Sequence, residues 1–319
     1  LIRYRSFQNT DPALIAELWR SSFSGHGVMQ PMSATLLEYF AFSKPYFAYD
    51  GLILAFDEDQ EDLIVGFGHA GFGPLPDRSQ LDLETGIISL MMVRPEYRRQ
   101  GIGTELLNQL EGYLQTCGSQ VIYAGGFKPF EPFYLGIYGG SELPGTLESL
   151  PDAGDFFRTQ GYQEEERIQV LECELARFRP PIDRRQIALR RSSIIELVYD
   201  PIPSDWWDAC TFCHFERVRF EIFDNQSNEC MGSVTLWMME PLAHSWNVRA
   251  VGLIDLEIEE SFRQQGVATY LVGEALRRLG EQGIWMVQAQ VPTGNTVALK
   301  LFEKLGFTQK DAGLIFAKH

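Results

Sequence analysis

SLMMVRPEYRRQGIGTELLNQLEGYL, residues 89–114, reads as strand, tight turn and helix. Residues 89–93 form a short apolar run, Pro95 ends it, RRQGIG makes a compact turn, and Leu106, Leu107, Leu110 and Leu114 recur at helical spacing. The turn opens directly into the helix. A helix start exposes N–H groups without intrahelical partners at the positive end of the dipole, so an anion can sit there. Gly101 and Gly103 have no Cβ, which lets the amides of Gln100, Gly101, Ile102, Gly103 and Thr104 approach phosphate oxygens. Arg98 and Arg99 add positive charge.

A glycine turn before a helix serves geometry alone in many proteins. Here the plan recurs. LIDLEIEESFRQQGVATYLVGEALRRL, residues 253–279, repeats strand, turn and helix, with the same spacing from strand end to arginine: Val93 to Arg98 and Ile258 to Arg263. A second pattern also occurs twice, an apolar helix followed by Gly and an aromatic: AGDFFRTQGY at 153–162 and ALKLFEKLGF at 298–307.

With both motifs in the same order twice, the chain resembles the GNAT acyltransferase superfamily, whose signature is Arg/Gln-x-x-Gly-x-Gly/Ala between the fourth strand and third helix. Arg98, Gly101 and Gly103 match it, as do Arg263, Gly266 and Ala268. The resemblance implies an α/β (α+β) fold with two mixed, mostly antiparallel central sheets flanked by helices. It implies acetyl-CoA as acyl donor, with no metal. The first cofactor site would comprise Met91, Met92, Val93, Arg98, Arg99, Gln100, Gly101, Ile102, Gly103 and Thr104. The second would comprise Ile258, Arg263, Gln264, Gln265, Gly266, Val267, Ala268, Thr269 and Asn295. In the family the fourth and fifth strands splay, and the pantetheine arm enters the gap.

The length of 319 residues suits two domains. The boundaries expected are 1–177 with an insert at about 127–152, a Pro-stiffened linker at 178–186, and an abbreviated second domain at 187–319. Hydrophobic content of 45% and charged content of 22% are ordinary for a globular protein, and no run is long and apolar enough to span a bilayer. The first residues read as strand and turn, not as a secretory signal, so the expectation is cytoplasmic. A net charge of −16 argues against nucleic-acid or anionic-membrane partners and would draw in a cationic amine. Five cysteines do not make a disulfide framework. Cys210, Cys213 and His214 match a haem-attachment pattern or half a zinc site, but without a second ligand cluster they read as small core cysteines on a helix.

In chain order, strands are expected at 2–6, 46–56, 63–72, 89–93, 120–124 and 167–175, and helices at 11–23, 33–42 and 104–117, the second capped by Ser33. Asp57 to Asp62 reads as a solvated acidic hairpin tip. The aromatic, Gly- and Pro-rich insert serves either as a lid or as packing between domains. The second copy is expected to start at 187–190. Strands follow at 216–223, 230–238, 253–258, 284–291 and 314–317, with a helix at 296–305. One early helix is missing or reduced, and the segment holding Trp206 and Trp207 fills its place.

Acyl transfer to an amine requires a deprotonated amine, stabilisation of the carbonyl oxygen and a proton for the departing thiolate. The resemblance assigns the oxygen to a fourth-strand N–H near Val93 or Ile258. Many members use a tyrosine four residues before the late glycine as general acid; this chain has Phe157 and Phe302. Asn295 fits a family asparagine that Leu150 replaces in the first half. Replacement candidates are Tyr134 or Tyr138 as acid and Glu84 as base, or Asp255 and Glu257 in the second half, with His26 as a substrate contact. The expected activity is acetyl transfer to a primary amine of a small molecule or peptide, with the first domain catalytic. The alternatives are a non-catalytic acyl-CoA-binding protein and a tRNA-dependent aminoacyl transferase, against which the two pyrophosphate turns and the negative charge weigh.

Overall fold

The computed structural model describes residues 1–60, 63–150 and 152–319. The first half contains β1 (Ile2–Ser6), α1 (Pro12–Ser22), α2 (Ala34–Leu37), β2 (Leu52–Asp57), β3 (Leu63–Pro74), β4 (Leu81–Val93), α3 (Ile102–Cys117), β5 (Val121–Ala124), β6 (Thr146–Leu147), α4 (Ala153–Thr159) and β7 (Gln163–Glu174). The second contains α5 (Arg184–Ser192), β8 (Ser193–Tyr199), α6 (Trp206–Phe212), β9 (Arg217–Asp224), β10 (Cys230–Met238), α7 (Glu240–Trp246), β11 (Ala250–Ile258), α8 (Val267–Glu281), β12 (Met286–Pro292), α9 (Thr296–Lys304) and β13 (Thr308–Lys318). The acidic tip expected at 57–62 includes Glu61 and Asp62, which lie outside the described residues.

Local chemistry explains most of these boundaries. Ser33 accepts from Leu36 N to start α2, which runs into a π-helical turn over Glu38–Phe42. Gly118, at φ +118°, ends α3. The second copy does not begin with a strand at 187–190. Asp183 accepts from the amides of Arg185 and Gln186 and starts α5 there, so the linker ends in helix and the strand begins at Ser193. The strand expected from 46 begins only at Leu52, because Tyr49–Gly51 form a 3-10 turn.

The two mixed, mostly antiparallel sheets are present, and they meet edge to edge as one 13-stranded sheet among the described residues. Its order is β1-β2-β3-β4-β5-β13-β7-β12-β11-β10-β9-β8, with β6 beside β13. β4 with β5 and β11 with β12 are the parallel pairs. Chain order alone would have the strand at 167–175 close the first sheet and the strand at 314–317 the second. Instead β13 lies between β5 and β7, with Phe316 opposite Ala124, and β7 pairs on its far side with β12, with Leu171 opposite Ala289. The halves exchange their last strands.

One apolar core joins α1, α2 and the insert to Trp237, Met239 and Leu242 of the second half; separate cores lie under α3 and α8. Of the two roles open to the insert, packing between the halves is visible. Ser141 N donates to Gln288 Oε1 at 2.7 Å, Trp237 Nε1 donates to Ser141 O at 3.1 Å, and Lys128 bonds Asp255 and pairs with Glu142 at 3.3 Å. Among the described residues no helix is long and apolar enough to cross a membrane. Nor is any group of three or more His, Cys, Asp or Glu among them arranged to hold a metal ion.

The insert also buries Glu131, whose Oε2 has no hydrogen-bond partner. Burial pushes its pKa up to about 8, against the attraction of Lys128. A carboxyl whose folded pKa exceeds its unfolded value stabilises the fold fully at acid pH, and the contribution is lost as pH rises through the folded value. Wild-type unfolding free energy should therefore fall between about pH 5 and pH 8, at a limiting slope of ~1.4 kcal/mol per pH unit, with the melting temperature falling alongside it, while Glu131→Gln removes that part of the slope and is the more stable at pH 8. Parallel melting profiles for the two proteins would refute the assignment.

Candidate functional site

The two glycine turns have the same backbone. Arg99 and Gly101 take φ of 61° and 85°; Gln264 and Gly266 take 60° and 89°. In each, the signature arginine folds back on the preceding strand: Arg98 Nε donates to Val93 O at 3.1 Å and Arg263 Nε to Ile258 O at 2.9 Å. Gln100 and Gln265 brace the turns by donating to Glu96 O and Ser261 O. These side chains shape the turn, and the helix start presents backbone N–H groups of the kind that suit an anion. Arg99 is exposed and pairs with Asp152 at 3.2 Å.

At the first turn the amides open onto a cavity of about 560 Å3. β5 pairs with β4 only from Thr85 to Ile88, so beyond Ile88 β4 has no β5 partner and the strands part. Met91, Met92 and Val93 line this gap, with Arg98, Arg99, Gly101, Gly103 and Thr104 at its mouth. The end of α1, Arg20 to Phe23, forms one wall; Tyr138, Leu150, Phe156 and Phe157 form another. Gln100 and Ile102 do not reach it: Gln100 is exposed and Ile102 is buried in the core under α3. Ser89, which the sequence pattern did not single out, is the extra residue of a bulge in β4; it lines the cavity, and its hydroxyl is buried without a partner.

The catalytic candidates separate. Tyr138 reaches the cavity with its ring stacked on Phe23 at 5.9 Å, but its hydroxyl donates to Gly145 O at 3.2 Å and accepts from Leu147 N at 3.1 Å. Burial raises its pKa above the usual phenol range. Glu84 is not brought there: it is exposed on the half of β4 that pairs with β5. Tyr134 is buried and bonded to His69 at 2.8 Å, and Phe157 packs on Tyr162. His26 is not among the residues lining the cavity; its Nε2 is 2.5 Å from Glu172 Oε1 and its ring stacks on Trp246 at 4.5 Å, contacts that join the halves.

At the second turn the surroundings differ. Gln186 Nε2 donates to Gly266 O at 3.3 Å and Arg185 reaches Gln264 O at 3.4 Å. A Cβ on Gly266 would stand 3.1 Å from Gln186 Nε2, whereas one on Gly101 would meet nothing within 4 Å. Val267 and Thr269 are buried, and Ala268 is half-buried. The bulged stretch of β11 holds Asp255, which Lys128 of the insert engages; Glu257 is exposed. Asn295, expected as a cofactor contact, caps α9 by accepting from Ala298 N at 3.1 Å. The second copy thus keeps the turn and has α5 packed beside it, while Arg263, Gln264 and Gln265 stay exposed.

The sequence profile of the Acetyltransferase (GNAT) family matches residues 14–134 and again 187–307. Among solved structures, a GCN5-related glucosamine N-acetyltransferase region of a fungal multi-domain GH3 beta-N-acetylglucosaminidase is similar at TM-score 0.75 and 15% identity, covering 100% of this chain and 38% of that one. A GCN5-related N-acetyltransferase from Sphaerobacter thermophilus is similar at TM-score 0.67 and 13% identity, covering 99% of this chain and 95% of that one. A tandem GNAT protein from the clavulanic acid biosynthesis pathway gives TM-score 0.66 at 13% identity, covering 100% of this chain and 98% of that one. At these identities the likeness is one of fold. No curated protein matches the chain.

Gly103 offers a clean test of the anion site, because its Cβ would meet only Phe156 and Val93 at ordinary contact distance and its φ is not positive. Gly103→Asp should weaken acetyl-CoA binding on the order of a hundredfold in calorimetry, by placing a carboxylate where phosphate binds, with little change in melting temperature. Undiminished affinity would remove the first turn from the donor site.

Proposed function

The chain belongs to the acetyltransferase (GNAT) family, and from that premise we propose that it moves an acetyl group from acetyl-CoA to a primary amine of a small molecule or peptide, at one site in its first half. The observation that carries this reading is the contrast between the turns: the first opens onto the gap and cavity beside β4, whereas α5 packs against the second through Arg185 and Gln186. The fit is physical. The start of α3 offers amides and a positive dipole to the pyrophosphate, Gly101 leaves the approach clear, and the parted end of β4 lies beside the space the pantetheine arm needs. Acetyl-CoA supplies the acetyl group and leaves as the thiol. The acceptor enters between the end of α1 and Tyr138, where Phe23 and Leu150 give an apolar wall. A supply of acetyl-CoA suits a cytoplasmic site of action. An amino sugar, the acceptor named for the fungal region of similar fold, belongs among the amines to try.

A second reading, acyl-CoA binding without turnover, is favoured by Phe157 and by the engaged hydroxyl of Tyr138, which leave no evident proton donor.

Calorimetry and thiol release together separate the two readings. The expected result is one acetyl-CoA per chain, unchanged by Ala268→Asp, with amine-dependent thiol release. Two equivalent sites, or a loss of binding in Ala268→Asp, would contradict a single first-half site; one site with no release across the amines would select the second reading.

A further inference from the structure

Resting on the acetyl-transfer reading, we propose that the acceptor is a weakly basic amine of the α-amino class, which enters the cavity uncharged because the cavity wall offers no base to deprotonate it. The charged side chains on the wall are Arg20, Arg98, Arg99 and Asp152. Asp152 is occupied by Arg99 at 3.2 Å, and Arg20 donates to Met32 O at 2.8 Å. Among the described residues lining the cavity there is no histidine and no glutamate. Tyr138 has its proton on Gly145 O, takes the Leu147 N–H in return, and is held neutral by burial. The bases proposed from sequence lie elsewhere: Glu84 on the β5-paired half of β4, and Asp255 and Glu257 on β11 of the second half; His26, the proposed substrate contact, is against Glu172 at the junction of the halves.

An ammonium entering this space would lose water and find, among the described lining residues, only one carboxylate, Asp152, which Arg99 already occupies. The negative surface of the whole molecule attracts cations, but the wall of the cavity does not hold them. The neutral amine needs no such help. Its nitrogen lone pair forms the C–N bond to the acetyl carbonyl carbon, the C–S bond breaks with its electron pair on sulfur, and the proton lost by nitrogen neutralises the thiolate, giving amide and thiol. At pH 7 roughly a tenth of an α-amine with pKa near 8 is neutral, against roughly four in ten thousand of an alkylamine near 10.4.

The test is the pH dependence of thiol release with two acceptors, an amino-acid amide and a straight-chain alkylamine, over about pH 6 to 11. With no enzymic base, kcat/KM rises tenfold per pH unit for each and levels at that acceptor's own pKa, so the two plateaus begin about two units apart. At pH 7 the amide is preferred on the order of a hundredfold. Profiles that level at one shared pH below both amine pKa values would reveal an enzymic base and overturn the inference. Calorimetry on the same sample keeps the premise separate: failure to bind acetyl-CoA removes the acetyl-transfer reading itself, whereas binding without release to either amine rejects this acceptor class and leaves an acyl-CoA-binding protein.

Discussion

The pairing of β13 between β5 and β7 is the constraint on which the rest of the molecule depends. β5 is short, and its outer edge would be open if the first half had to close its own sheet. The last strand of the chain covers that edge, and β7 crosses to cover β12 in exchange. Neither half therefore completes its sheet alone. The shared core follows from this, since the insert leaving β5 comes directly against β10, β11 and β12, where Trp237, Asp255 and Gln288 fix it.

That placement of the insert makes two similar halves unequal. On the first-half side its Tyr138 forms part of the cavity wall. On the second-half side its Lys128 engages Asp255 at the bulge of β11, while α5 lays Arg185 and Gln186 over the turn. The φ angles of the turns match to within a few degrees, so what distinguishes them is their surroundings.

What could be read from sequence divides along the same line. The turns, their strands and their helices are local, written in Gly101, Gly266 and the leucine spacing, and they appear as expected. The start of α5 was also written locally, in Asp183 followed by two free amides, but the strand-like run after it drew attention past the cap. Asn295 carried two meanings, a family asparagine and a helix cap, and the cap is the one the structure shows. The exchange of β7 and β13 could not be read, because alternation marks a strand without naming its neighbour. The roles of His26 and Glu84 depended on that topology. His26 meets Glu172 only because β7 runs through the middle of the joined sheet, and Glu84 is far from the cavity because β4 is long and parts from β5 only past Ile88.

The central claim is that one open turn, of two with the same backbone, receives the donor. Hydrogen–deuterium exchange at saturating acetyl-CoA tests it without any acceptor. Slowed exchange in the amides of 89–104, with those of 254–269 unchanged, is the predicted result. Equal protection of both segments, or protection of the second alone, would contradict the account.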